Sequence, residues 1–339
     1  MATSYPHVVI AGTGAMACLF GARLSASGVP VTLMGTWAEG LDALGRDGIR
    51  VIEPDGKEKA YPVRIASEPG KIQKSRLALV CVKSWQTERA SRQLAGCLTG
   101  DGVALTLQNG MGNFETMENL LGPKRAALGT TTAGANMLAP GVVRPGGEGV
   151  ISLEDHRRTR LLMELFSSSG FAVQTVSDPV ELLWGKLVIN AAINPLTALL
   201  NIPNGALLER PQARSLMGAA AKEAAAVAAA RGIPLPYPDP ASAAESVAAR
   251  TASNLSSMLQ DVLRGSPTEI DAISGAIVRE GEAAGLQVPV NRTLWSLVKA
   301  LEAAPGRSAL QGRRKYKRPI NGKPRTSGGY PAKPNNQAL

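Results

Sequence analysis

Apolar and polar positions divide the chain into two stretches with different rhythms. Up to about residue 178, apolar residues come in short unbroken runs at 7–11, 31–34, 77–82, 103–107 and 126–130, most of them closed by glycine or polar residues. Runs of this length, rich in Val, Leu and Ile, read as strands of a parallel sheet buried on both faces, with helical patterns between them. Shorter strands are expected near 142–143 and 150–153. From Asp178 onward the strand signals stop, and Ala-rich helical patterns follow at 181–200, 211–231, 241–263, 267–284 and 293–301. Alternating strand and helix, followed by helix alone, predicts an α/β domain over 1–178 and an all-helical domain over 179–306.

The first run, His7-Val8-Val9-Ile10-Ala11, ends in Gly12-Thr13-Gly14-Ala15-Met16-Ala17, followed by a helical pattern through Leu24 and a second strand at 31–34. Strand, glycine turn, helix and strand open a Rossmann-type dinucleotide-binding fold. Gly12 permits the tight turn. Gly14 lets the backbone approach a pyrophosphate resting on the helix N-terminus, and Ala17 takes the place of the third glycine. The second strand leads into Met34-Gly35-Thr36-Trp37, with no Asp or Glu to hold ribose hydroxyls, which favours NADP over NAD. Thr36 offers one hydrogen bond to a 2′-phosphate, and Arg46 or Arg23 is a candidate for its charge. In such sheets ligands lie beyond the carboxyl ends of the strands, where Lys83 and Asn109 fall. Each of these also reads, taken singly, as a solvent-facing lysine and a turn-forming asparagine.

The most informative helix is 181–200. Its Lys186, Asn190 and Asn194 are four apart and therefore stack along one face of an otherwise apolar segment. An ammonium and two amides in such company must find partners or face a cleft, or each costs a few kcal/mol to bury. Pro195 predicts a kink or helix end at Asn194. Further on, Ser253, Ser257 and Asp261 lie at four-residue intervals on one expected helix, beside Asn254. Ser266-Pro267-Thr268-Glu269 has the form of a capping box heading the next.

Composition sharpens this picture mainly by exclusion. No apolar run reaches the roughly 18 residues of a membrane span, and the first residues lack a signal peptide's basic and apolar regions, so a cytoplasmic protein is expected. Cys18, Cys81 and Cys97 show no paired spacing and read as small buried hydrophobes in a reducing compartment. Two histidines, His7 and His156, argue against a histidine relay or metal site. Residues 307–339 hold nine of the 37 basic residues and no acidic one, leaving 28 basic against 27 acidic in 1–306. The net charge of +10 thus belongs to a tail whose composition predicts disorder and a solvated appendage rather than a nucleic-acid-binding arm.

Several blocks together resemble the 2-dehydropantoate 2-reductase (ketopantoate reductase) family over residues 7–302. They include Val82-Lys83-Ser84-Trp85-Gln86, Gln108-Asn109-Gly110-Met111-Gly112, Leu128-Gly129-Thr130-Thr131-Thr132, and the Lys186–Asn190–Asn194 helix. Two more specific ones are Ser256-Ser257-Met258-Leu259-Gln260-Asp261 and Thr268-Glu269-Ile270-Asp271. The resemblance implies NADPH-dependent reduction of 2-dehydropantoate to (R)-pantoate, toward coenzyme A, with NADH the weaker cofactor. It implies Lys186 as general acid and Glu269 as the group that orients it and holds the substrate hydroxyl. Asn190, Asn194, Asn254 and Ser257 would bind substrate, Asn109 would join cofactor ribose to lysine, and Lys83 would line the cofactor cleft. Many members carry Arg where Thr36 stands, and the tail lies outside the family pattern. A reductase of another branched 2-oxo acid and a non-catalytic nucleotide sensor remain alternatives; monomer and homodimer are both compatible with the sequence. Physics points the same way. Hydride transfer to a ketone builds negative charge on oxygen, and a lysine on an apolar helix is the best remaining proton donor.

Overall fold

The computed structural model describes residues 5–154 and 159–304; His156 and the basic tail fall outside these. In chain order the first stretch runs β1 (Val8–Ala11), α1 (Ala15–Ala26), β2 (Val31–Met34), α2 (Ala38–Asp47), β3 (Ile49–Ile52), β4 (Glu58–Tyr61), β5 (Arg64–Ala66), β6 (Ser75–Val80), α3 (Thr87–Cys97) and β7 (Leu98–Thr106). It continues with α4 (Asn113–Leu121), β8 (Ala126–Thr131), β9 (Ala135–Ala139), β10 (Val142–Pro145), β11 (Val150–Glu154), α5 (Arg160–Ser168) and β12 (Ala172–Val176). Helices alone follow: α6 (Pro179–Leu200), α7 (Pro211–Ala230), α8 (Pro240–Arg250), α9 (Ser257–Leu263), α10 (Ser274–Ala283) and α11 (Pro289–Ala303).

Eight strands form one sheet in the order β12-β11-β8-β7-β6-β1-β2-β5. From β8 to β5 every neighbouring pair is parallel, β11 opposes β8, and β12 runs with β11. The unbroken apolar run of β1 is explained by its position: Val8 and Ile10 enter a core with Phe20 and Phe166, while Val9 and Ala11 enter a second core with Val80 and Leu94. Both faces of the strand are therefore dry. A second sheet, ordered β4-β3-β10-β9, packs beside α1. Most of it escapes the sequence reading, because strands such as Glu58–Tyr61 are largely solvent-exposed and carry no apolar run.

The helical part is built around α6, which contacts α7, α8, α9 and α11. Alanines 220, 221, 224 and 228 of α7 are fully buried and lie in the same core as Leu187, Val188 and Ala191. Their short side chains let two helix backbones approach closely. By length and composition α6 passes for a membrane span, contrary to the expectation that no run is long enough, but most of it is enclosed by protein. That is the position of a core helix.

Three expected features differ. Of the kink or helix end expected at Asn194, the end does not occur: α6 continues past Pro195 to Leu200 and closes at Asn201, in the left-handed conformation. Tertiary packing on all sides outweighs the roughly 3 kcal/mol that an interior proline costs. The helix expected over 241–263 is two, because Ser256 caps α9 by accepting the Leu259 N–H at 3.1 Å, and Asn254 and Ala252 give their carbonyls to Asn204 and Gly205. Ser253 consequently lies in a turn and shares no helix with Ser257 and Asp261. Nor is there a capping box at Ser266. Residues 266–273 form an irregular segment that ends in turns, pinned to α11 by Thr268 N–H on Glu302 (2.7 Å) and by Trp295 and Lys299 on the Asp271 carboxylate (2.7 and 2.8 Å). The carboxylate of Glu269 is thereby released to work elsewhere.

Candidate active site at the sheet's carboxyl edge

Because β1, β2, β6, β7 and β8 are parallel, the glycine turn, Gly35–Trp37, Lys83, Asn109 and Thr131 all leave the sheet at one edge. Gly12 has φ +130°, and a side chain there would stand 2.8 Å from the Cys81 carbonyl oxygen. The turn is tied to β2 by the Gly12 N–H on the Met34 carbonyl at 2.7 Å. Gly14 heads α1 in extended conformation without a side-chain cap. The first N–H groups of that helix, at Ala15, Met16 and Ala17, therefore have no partner within the helix, which is the cradle a pyrophosphate needs. Arg23 and Arg46, the candidates for a 2′-phosphate's charge, each lie in the last turn of their helix, about 12 Å along the axis from its start. Arg46 is instead paired with Asp47 at 2.8 Å.

The helical domain closes the edge from above. Asp178 caps α6 through the Val180 N–H at 2.7 Å, and two turns on, Lys186 points back at the sheet. Its Nζ donates to the Thr131 carbonyl, the last of β8, at 2.7 Å. Burial pulls its pKa down to about 8, while the Glu269 carboxylate pulls the other way through space. Glu269 does not bond the amine; its Oε1 accepts the Ser84 N–H at 2.9 Å and its Oε2 lies 3.7 Å from Lys83 Nζ. Lys83 is paired with Asp261 at 2.6 Å. Burial would lower the Lys83 pKa too, but Glu269 and Asp261 outweigh it and hold the amine above an ordinary lysine. The site thus contains two lysines sorted by environment, one held above the ordinary lysine range and one brought down to about 8.

Asn190 and Asn194 continue the Lys186 face along α6, the first part-buried and the second buried. The face meets the start of α9 where Thr197 donates to Ser256 at 2.7 Å, next to Ser257. Asn254 stands apart, exposed in the preceding turn. Asn109 is fixed by its backbone, whose carbonyl accepts from Asn113 Nδ2 at 3.0 Å. Gln108 bonds the Val82 carbonyl (2.8 Å) and the Thr87 hydroxyl (2.9 Å), lacing the ends of β6 and β7 together. Two participants were not singled out by the sequence reading as site residues. Asp261 enters the sequence pattern as a member of a helical stripe and of the Ser256–Asp261 block, and a carboxylate beside apolar neighbours is the signal that marks it. Thr131 contributes a backbone carbonyl, which no residue type advertises.

Residues 8–158 match ketopantoate reductase PanE/ApbA, and residues 180–302 match the C-terminal part of the same family. The 2-dehydropantoate 2-reductase of Halobacterium salinarum is 36% identical over 86% of this chain and 98% of its own length, and that of Vibrio cholerae 32% over 87% and 98%. Among solved structures, a PanE/ApbA family ketopantoate reductase from Ralstonia eutropha superposes with a TM-score of 0.82 at 33% identity, over 87% of this chain and 98% of that one. A D-mandelate dehydrogenase solved with NADH and anilino(oxo)acetate gives 0.81 at 28%, with the same coverage. Both halves of the fold, the glycine turn and the lysine-bearing helix fall inside these matches, and the chain belongs to the ketopantoate reductase PanE/ApbA family.

Proposed function

We propose that this protein reduces 2-dehydropantoate to (R)-pantoate with a nicotinamide dinucleotide, NADPH in preference to NADH, using Lys186 as general acid. The observation that carries the reading is the Lys186 amine itself: drawn inward, held by the Thr131 carbonyl, and brought by burial to a pKa of about 8. A proton donor matched to neutral pH, on the edge where the glycine turn opens, is what a ketone needs as charge develops on its oxygen. The chain divides at about residue 178 into a dinucleotide-binding domain and a helical domain, with the substrate between them.

The glycine turn and the uncapped N-terminus of α1 fit a dinucleotide, with Gly12 to Ala17 against the pyrophosphate and Asn109 and Lys83 toward the nicotinamide end. When bound, the reduced nicotinamide supplies a hydride to the substrate's carbonyl carbon. Lys186 gives its proton to the carbonyl oxygen, Glu269 acts on that amine through space, and Asn190, Asn194 and Ser257 receive the substrate hydroxyl and carboxylate. Asn254, exposed just before α9, is an outer substrate contact in this reading. Lys83, held cationic, pairs with Asp261 and lies 3.7 Å from Glu269, offsetting only part of the burial that pushes the Asp261 carboxyl up. NADPH is favoured because Gly35 and Thr36 place no carboxylate against a 2′-phosphate.

Oxidation of NADPH on adding 2-dehydropantoate, followed at 340 nm, tests the reading. Lys186→Ala is expected to lower turnover by about 10²-fold with folding intact, and near-normal turnover would refute the role. A second reading, reduction of another branched or aryl 2-oxo acid, is favoured by the likeness to a D-mandelate dehydrogenase. A higher kcat/KM on benzoylformate than on 2-dehydropantoate would select it.

A further inference from the structure

We propose that Trp37 is the stacking platform for the adenine of the dinucleotide, and that this chain grips the adenosine end through an indole face. The inference rests on the dinucleotide reading above and adds to it a residue that neither the glycine turn nor the catalytic helix accounts for.

β1 lies between β6 and β2, so the glycine turn has Lys83 to Trp85 on one side and Gly35 to Trp37 on the other. Lys186 closes over the side of β6 to β8, through Thr131. A dinucleotide lying across the turn, with its reactive end at Lys186, must send its adenosine toward the end of β2. Trp37 stands there, at the head of α2. Its indole folds back over Gly40, one turn on: a methyl group at position 40 would press into the face of the six-membered ring, 2.8 Å from Cδ2 and Cζ3. Gly40 is buried, while Trp37 remains 39% exposed. A large aromatic is therefore seated against a helix by its six-membered ring while part of it stays open to solvent.

A ring fixed in this way is prepared for a base. Its rotamer is set by the helix beneath it, so little freedom is lost on binding. Stacking is indifferent to what the ribose carries, so the platform supplies affinity common to NADPH and NADH. The choice between them is left to Gly35 and Thr36.

Isothermal titration of the full chain with NADPH, NADH and 2′,5′-ADP decides the matter without a catalytic readout. Trp37→Ala is expected to weaken all three by about tenfold, leaving the NADPH to NADH ratio unchanged. Trp37→Phe should recover most of the loss. Gly40→Ala, which displaces the indole without removing it, should weaken binding in the same direction, with thermal melts showing both variants folded. Unchanged affinity in Trp37→Ala, or a loss seen with the dinucleotides and not with 2′,5′-ADP, overturns the stacking role alone. A wild-type chain that binds neither dinucleotide refutes the underlying reading as well.

Discussion

Raising the pH through 8 should switch off ketone reduction. Burial takes the Lys186 pKa from an ordinary 10.5 to about 8, a bias of about 3 kcal/mol against the charged amine at 1.36 kcal/mol per pH unit. If the protonated amine is the acid, about nine-tenths of the enzyme is competent at pH 7 and about one-tenth at pH 9, so kcat should fall about tenfold between them. Oxidation of the hydroxy acid, which needs the neutral amine, should rise over the same interval. Glu269 props the amine up, so Glu269→Gln should move the inflection to lower pH, while Lys83 remains paired with Asp261. The assay is steady-state turnover at saturating cofactor and substrate from pH 6 to 10, with circular dichroism to confirm that the fold persists. A profile flat to pH 9.5, or an inflection that stays in place in Glu269→Gln, would show that Lys186 is not the titrating acid.

The same burial has a signature in stability. Lys186 costs the folded state stability wherever the unfolded chain holds a proton more readily, so the cost is complete below pH 8 and relieved as pH rises toward 10.5. Lys186→Met should accordingly raise stability by about 2 kcal/mol at pH 7 in urea unfolding, with the advantage gone near pH 10.5. Asp261→Ala removes a buried carboxylate from the part-exposed Lys83 amine and is expected to cost about 2 kcal/mol, read as a lower midpoint of denaturation. Gly12→Ala forces a side chain into a positive-φ turn against the Cys81 carbonyl. It should cost about 2 kcal/mol and weaken dinucleotide binding in calorimetric titration.

Much of this was legible in the chain, for identifiable reasons. β1, β2, β6 and β7 are buried on both faces, so their apolar runs speak for themselves, and the glycine turn is fixed by steric rules that local sequence obeys. Lys186 stood out because a charge among Leu, Val and Ile always needs an explanation. What stayed hidden depends on contacts distant in sequence. The turn at 266–273 looks like a capped helix until Glu302, Trp295 and Lys299 bind it, and only that turn lets Glu269 reach Ser84 across the cleft. The break before α9 has the same origin, in carbonyls claimed by Asn204 and Gly205. The edge strand Glu58–Tyr61 of the smaller sheet carries no apolar signature because it faces water.

Four polar pairs in the cleft join the two halves of the chain: Lys186 meets Thr131, Asp261 meets Lys83, Glu269 meets Ser84, and Met111 gives its N–H to the Ala272 carbonyl. Neither half therefore owns the chemistry, and inheritance must treat the two as one unit. A chimera joining residues 1–178 to the helical half of a distant relative would carry an intact lysine into a cleft cut for another backbone. Recombination at this junction should yield folded but idle proteins unless the charges on both banks travel together.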